Sequence, residues 1–180
     1  REKKYVEEQF LQQLESFKPV KWEILKLDRW GQTEAQTGRK SWTQTVMVAE
    51  LEKSILNLNT WLEADQIQDA VKELTSFPQD DLISNNEKVL DLLLRGTTAD
   101  DRKTGERDKN VSFIDLNTPE NNSYIAVNEM RFRILGTEHS FYPDIILFVN
   151  GIPLVVVECK SPKENDAIGT AIDQLMRYSE

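Results

Sequence analysis

Residues 144–160 constrain this chain more than any other stretch. Asp144 opens an apolar run through Val149, Asn150-Gly151 interrupts it, and a second run from Ile152 to Val157 ends on Glu158-Cys159-Lys160. Asn-Gly between two apolar segments signals a hairpin, because both central residues of a tight type I′ turn need positive φ. Segments apolar at nearly every position belong in a sheet covered on both faces, so 144–149 and 152–160 are expected as interior strands. Two carboxylates and a lysine therefore stand where charge is costly. Such groups persist when they are paired or hold a metal.

Side-chain alternation turns this into a geometric demand. A plain two-residue turn pairs Asp144 with Val157, and Asp144 and Glu158 then point to opposite faces. For the two acids to act together, the hairpin needs one more residue. The spacing predicts a three-residue loop ending in a left-handed Gly151 with a bulge, or a bulge elsewhere in the pair. Glu158 and Lys160, two apart, share a face. Cys159 points the other way, and its backbone carbonyl lies beside them.

Mg²⁺ favours hard oxygen ligands and commonly takes one or two carboxylates, water and a substrate phosphate. Asp144, Glu158 and the Cys159 carbonyl can supply three such oxygens. Lys160 can position a water and offset charge developing on phosphorus. The structural alternative, a Lys160 ion pair with Asp144 or Glu158 at a sheet end, stays open on spacing alone.

The remainder divides by period. Tyr5, Phe10, Leu11 and Leu14 fall near helical spacing and Pro19 ends that run; residues 22–30 read as a possible strand, and 31–41 as a mobile polar loop. Helices are expected over 46–62, 64–76 and 84–95, the last capped by Ser84 with Glu87 and stopped by Gly96. Then the pattern turns to strands: a short one at 111–115, an alternating one at 124–135, and the hairpin. A helix over 166–178 closes the chain. Helices, then strands, then a helix imply an α/β fold with a central mixed sheet flanked by helices and a helical N-terminal half. The opening polar residues, without an initiating Met, and an end just past a helix face suggest a piece of a longer protein without a signal peptide. One cysteine leaves no internal disulfide and fits a reducing cytoplasm. No apolar run reaches membrane-spanning length.

The net charge is −9. Twelve carboxylates lie between Glu50 and Asp101, against Lys53, Lys72, Lys88 and Arg95. This half is a solvated helical face or a surface for other domains, and it cannot grip nucleic acid by bulk charge. Arg131 and Arg133, expected on one strand face, are the better phosphate-binding candidates. Arg102, Lys103, Arg107 and Lys109 are interleaved with acids and read as a solvated loop. His139, the only histidine, is five residues before Asp144 and reads as an ordinary loop residue. No G-x-x-x-x-G-K-[ST] occurs, so the chain has no ATP site of that type.

Pro143-Asp144 and Glu158-Cys159-Lys160, with the apolar runs between them, resemble the nuclease region of the R (restriction, motor) subunit of type I restriction–modification enzymes, a PD-(D/E)xK nuclease. The likeness extends upstream through Ile55 to Asn59 and Trp61, Leu94-Arg95-Gly96, Phe113-Ile114-Asp115 and Asn121-Asn122. Downstream it covers Ala171 to Tyr178. The motifs keep their order over residues 45–180, and the first 44 residues match only loosely. The resemblance implies a restriction-endonuclease-like core in one structural domain. Residues 1–44 would contribute a helix, a possible strand and a loop, and 45–180 the endonuclease proper. It implies Mg²⁺-dependent hydrolysis of DNA by Asp144, Glu158 and Lys160. Its Q-x-x-x-Y element falls on Gln174 and Tyr178, one helix face apart by four residues, as DNA-seating groups. It further implies an acidic residue on an early helix, for which Glu7 is favoured over Glu8. Its partners would be double-stranded DNA and the specificity and methyltransferase subunits, with ATP used only by a downstream motor. Two alternatives remain: a nuclease-like module for docking or assembly without cleavage, and another nuclease or resolvase of the superfamily.

Overall fold

The fold is that of a computed structural model, which describes residues 2–77, 82–161, 163 and 166–178. In chain order the elements are α1 (Glu2–Ser16), β1 (Trp22–Lys26), α2 (Val48–Leu58), α3 (Ala64–Thr75), α4 (Leu82–Arg95), β2 (Thr97–Asp101), β3 (Glu106–Val111), β4 (Tyr124–Asn128), β5 (Phe132–Arg133), β6 (Ser140–Phe141), β7 (Ile145–Val149), β8 (Ile152–Val157) and α5 (Ala167–Tyr178). The central sheet has the order β1-β4-β7-β8. It is mixed: β1 runs parallel to β4, and β4–β7 and β7–β8 are antiparallel. This is the α/β architecture that the order of periods implies.

Alternation along β7 distributes the core. Ile145 and Leu147 face α1, whose Val6, Phe10, Leu11 and Leu14 recur on one helical stripe and pack there with Ala126, Cys159, Trp22 and Ile24. Ile146 and Phe148 face the other way, into Leu27, Met47, Ile125, Val127, Met130 and Phe132. That second face is closed by the 27–47 segment and the β5–β6 hairpin rather than by a helix. A separate core joins α2 and α3 through Leu51, Ile55, Ile67, Val71 and Leu74, with Val111, Phe113 and Ile152, and Val89, Leu92 and Leu93 of α4 pack against it.

The two halves meet at the β7–β8 turn. Asn150 is fully buried. Its side chain donates to the Phe113 carbonyl (2.8 Å) and accepts from the Ser123 N–H (2.7 Å). The Met47 N–H, ahead of α2, donates to the Gly151 carbonyl at 2.9 Å. A Cβ on Gly151 would lie 2.6 Å from the Met47 oxygen, and its φ of +80° already disfavours other residues.

Five sequence expectations change. The span 124–135 is not one strand: Glu129 takes φ +47°, and the chain leaves the ladder between β4 and β5. The Asn128 side chain accepts the Leu27 N–H at 2.9 Å there, so a polar residue ends the pairing. Strand β8 stops at Val157 and forms a sheet edge, with Leu154, Val155 and Val156 exposed at 44, 47 and 41%. Apolar composition alone does not distinguish an edge from an interior strand. Residues 97–111 form the β2–β3 hairpin rather than a loop followed by a strand at 111–115. It carries almost no apolar residues and so leaves no period to read; the Lys109–Asp101 ion pair, at 2.7 Å, helps to clasp it. Helix α4 starts at Leu82, which puts Ser84 inside its first turn rather than at the cap. Finally, the 31–41 segment is pinned by Arg39, only 3% exposed. Its guanidinium donates to Thr37 Oγ1, Gln44 O and Arg131 O and stacks 4.8 Å from the Phe132 ring centre. Burial pushes its pKa down to about 10.

Candidate active site

The hairpin resolves the register demand through the bulge, not the loop. Asn150 and Gly151 both have positive φ, +53° and +80°, and form a plain two-residue turn between paired Val149 and Ile152. Phe148 pairs with Pro153, but Leu147 pairs with Val155, leaving Leu154 as an extra residue in β8. From there Ile146 faces Val156 and Ile145 faces Val157. Extended one step beyond this last pair, the register would set Asp144 across from Glu158, on the same side.

Asp144 is 4% exposed, and both carboxylate oxygens of Glu158 are buried. The Cys159 N–H donates to Asp144 Oδ2 at 2.7 Å, which ties the end of β8 to the start of β7. The Cys159 thiol lies in the α1-facing core with Leu11 and Ile145, as alternation requires. Lys160 donates to Gln174 Oε1 at 2.5 Å.

The donor set fits a hard divalent cation: two carboxylates with buried oxygens and no soft ligand aimed at them. Among the described residues no three His, Cys, Asp or Glu side chains gather. An ion here would therefore complete its shell with backbone oxygen, water or substrate.

A cleft of about 690 Å³ opens over Asp144, lined also by Arg29, His139, Tyr142, Gln174 and Arg177. Gln174 thus joins Lys160 to the cleft holding Asp144. Helix α5 begins where the Asp166 side chain accepts the Gly169 N–H at 3.0 Å, and this cap sets the helix that carries Gln174. The Tyr178 side chain lies outside the described residues. Glu7, 8% exposed, lines a neighbouring cleft with Lys26, Arg29, Asn128 and Glu129. The Glu129 N–H donates to the Asp144 carbonyl at 2.9 Å, so the two clefts adjoin at one sheet end.

Arg131 and Arg133 are more engaged than free phosphate binders. Arg131 donates to Ser140 Oγ at 3.1 Å and stacks 5.0 Å from Trp42; Arg133 lies 3.6 Å from Glu138. Arg29, Tyr142 and Arg177 escaped sequence reading, since none occupies a defined motif position: Arg177 falls between Gln174 and Tyr178, and Tyr142 just ahead of Pro143-Asp144. His139, read as a plain loop residue, lines the cleft.

A sequence model described as type I restriction enzyme R protein N terminus matches residues 2–180. The type I restriction enzyme HindI endonuclease subunit of Haemophilus influenzae is 31% identical over 149 residues, covering 82% of this chain and 14% of that protein. The provisionally named type I restriction enzyme MjaIXP endonuclease subunit of Methanocaldococcus jannaschii is 26% identical over 137 residues, covering 75% of this chain and 13% of that protein. The chain thus spans about one seventh of the length of these relatives. With a whole-length match and an α/β fold, the chain belongs to the family of type I restriction enzyme R protein N termini.

Proposed function

We propose that this chain is the endonuclease domain of a type I restriction enzyme R subunit, a site-specific deoxyribonuclease that hydrolyses DNA phosphodiester bonds with Mg²⁺. The observation carrying this reading is the Leu154 bulge, which sets Asp144 across from Glu158 with their carboxylates buried.

Asp144, Glu158 and the Cys159 carbonyl would hold the ion. When bound it supplies Lewis-acid charge to the phosphate and eases deprotonation of water. Asp144 Oδ2 receives the Cys159 N–H, which fixes the carboxylate at the end of the hairpin. The Lys160 ammonium has three donors. Gln174 takes one, and the others can orient the attacking water and meet negative charge on phosphorus. Gln174 and Tyr178 would seat the strand, Glu7 would add acid at the adjoining cleft, and Arg131 and Arg133 are secondary phosphate contacts. In-line attack leaves a 3′-hydroxyl and a 5′-phosphate.

In this reading residues 1–44 and 45–180 form one structural unit, because β1 belongs to the same sheet as β4, β7 and β8. A chain of net charge −9 leaves most of the DNA grip to the rest of the protein, an ATP-driven translocase, and to specificity and methyltransferase subunits in the cytoplasm. The test is Lys160→Ala in the full-length enzyme. Duplex cleavage should fall at least 100-fold with DNA binding retained. Wild-type cleavage would instead support a docking module.

A further inference from the structure

Arg29 stands where the two clefts meet and lines both. Its guanidinium lies 4.7 Å from the Tyr142 ring centre and 5.9 Å from that of Trp30. Tyr142 is two residues from Asp144 and half-buried, so the ring is a fixed platform. Among the described residues Arg29 makes no ion pair and no side-chain hydrogen bond. A guanidinium stacked by its face keeps its in-plane donors free, and that fork matches two oxygens of one phosphate. In the Asp144 cleft Arg29 and Arg177 face one carboxylate, Asp144, whereas Glu7, Asp28 and Glu129 line the adjoining cleft with Lys4 and Lys26, so the Asp144 side is where an anion fits. Trp30, 78% exposed beside it, offers a flat apolar surface of the kind that meets a sugar or base.

We propose that Arg29, held on Tyr142, clamps a phosphate of the DNA strand entering the Asp144 cleft. It is a substrate-positioning residue, and the assignment rests on the nuclease reading for its ligand. Removing it should leave Asp144, Glu158 and Lys160 intact while loosening the strand they act on, an effect governed by placement rather than chemistry.

The experiment pairs single-turnover cleavage of prebound duplex DNA by the full-length enzyme with its equilibrium DNA binding at several salt concentrations. Arg29→Ala should slow cleavage about 10- to 100-fold, the scale of one charge-assisted double contact. The salt dependence of the binding constant should flatten by about 0.9 in log–log slope, as one phosphate contact disappears. Arg29→Lys keeps the charge but not the fork, so it should keep the slope and recover only part of the rate. Arg95→Ala, at an exposed α4 residue paired with Asp91, is the control and should cleave as wild type. An unchanged rate and slope in Arg29→Ala overturn the proposal, as does an equal loss in Arg95→Ala. If Arg29→Ala does not fold, Arg29→Lys decides, and a full wild-type rate there overturns it. Failure of the nuclease reading is distinct: the wild type itself would not cleave, or Lys160→Ala would.

Discussion

Replacing Asp144 separates stability from ion binding, because this carboxylate does two jobs. Its Oδ2 satisfies the buried Cys159 N–H at 2.7 Å. Its charge faces Glu158 across the hairpin, at a cross-strand spacing of about 5 Å. Asp144→Ala orphans the N–H, a loss of about 1–3 kcal/mol. For a chain of 180 residues that lowers Tm by about 4–8 °C at the midpoint of that range. Asp144→Asn keeps an acceptor for Cys159 and removes one of two like charges. Their repulsion is about 3 kcal/mol at an effective dielectric of about 20, an upper figure for the ion-free protein. Without a divalent ion, Asp144→Asn should therefore melt at or above wild type, and Asp144→Ala below it. With Mn²⁺ at about 100 times its dissociation constant, wild type gains about 2.7 kcal/mol, a rise of about 5–10 °C. Neither variant should gain it, so the order of wild type and Asp144→Asn reverses when Mn²⁺ is added. Thermal melts with and without Mn²⁺, with calorimetry for binding, measure this. An equal Mn²⁺ shift in Asp144→Asn, or none in wild type, refutes the metal assignment.

Deleting Leu154 tests the register itself: without the extra residue β8 pairs regularly and Asp144 still meets Glu158, so Mn²⁺ binding should survive. Loss of binding as complete as in Asp144→Asn would show that the bulge does more than set the pairing. The second concerns acid. Lys109 first, then the Thr104 and Lys103 N–H groups, hold the Asp101 carboxyl well below its ordinary 3.8. A depressed native pKa contributes stability that is present above the unfolded value and is lost as pH falls, so the contribution should fade below about pH 4. Denaturant titrations between pH 3 and 6 should show wild type losing stability faster than Asp101→Asn, and parallel curves would remove Asp101 from the account.

Much of this was legible in the sequence. Helices α2 and α3 announce themselves through Leu51, Ile55, Ile67, Val71 and Leu74, because a 3.6-residue period has one burial solution. Asn150-Gly151 declares its turn because few residues accept positive φ twice. Alternation shows that Asp144 and Glu158 can share a face only if the hairpin holds an extra residue, and the sequence leaves open where that residue sits. Local chemistry is silent on that point: Leu154 looks like its apolar neighbours in β8.

What only the tertiary structure decided are the relations between distant segments. The edge position of β8 depends on which strands pair, not on its apolar composition. The β2–β3 hairpin is held by a cross-strand ion pair and backbone bonds that carry no hydrophobic period. The burial of Arg39, and the meeting of Arg29 with Tyr142 beside Asp144, join residues more than ninety and more than a hundred positions apart respectively. By itself the sequence determined the turn, the apolar runs and the charged residues at their ends, since these follow from short-range patterns. The cleft around them required the folded chain, because its walls come from segments whose only common property is where the sheet brings them.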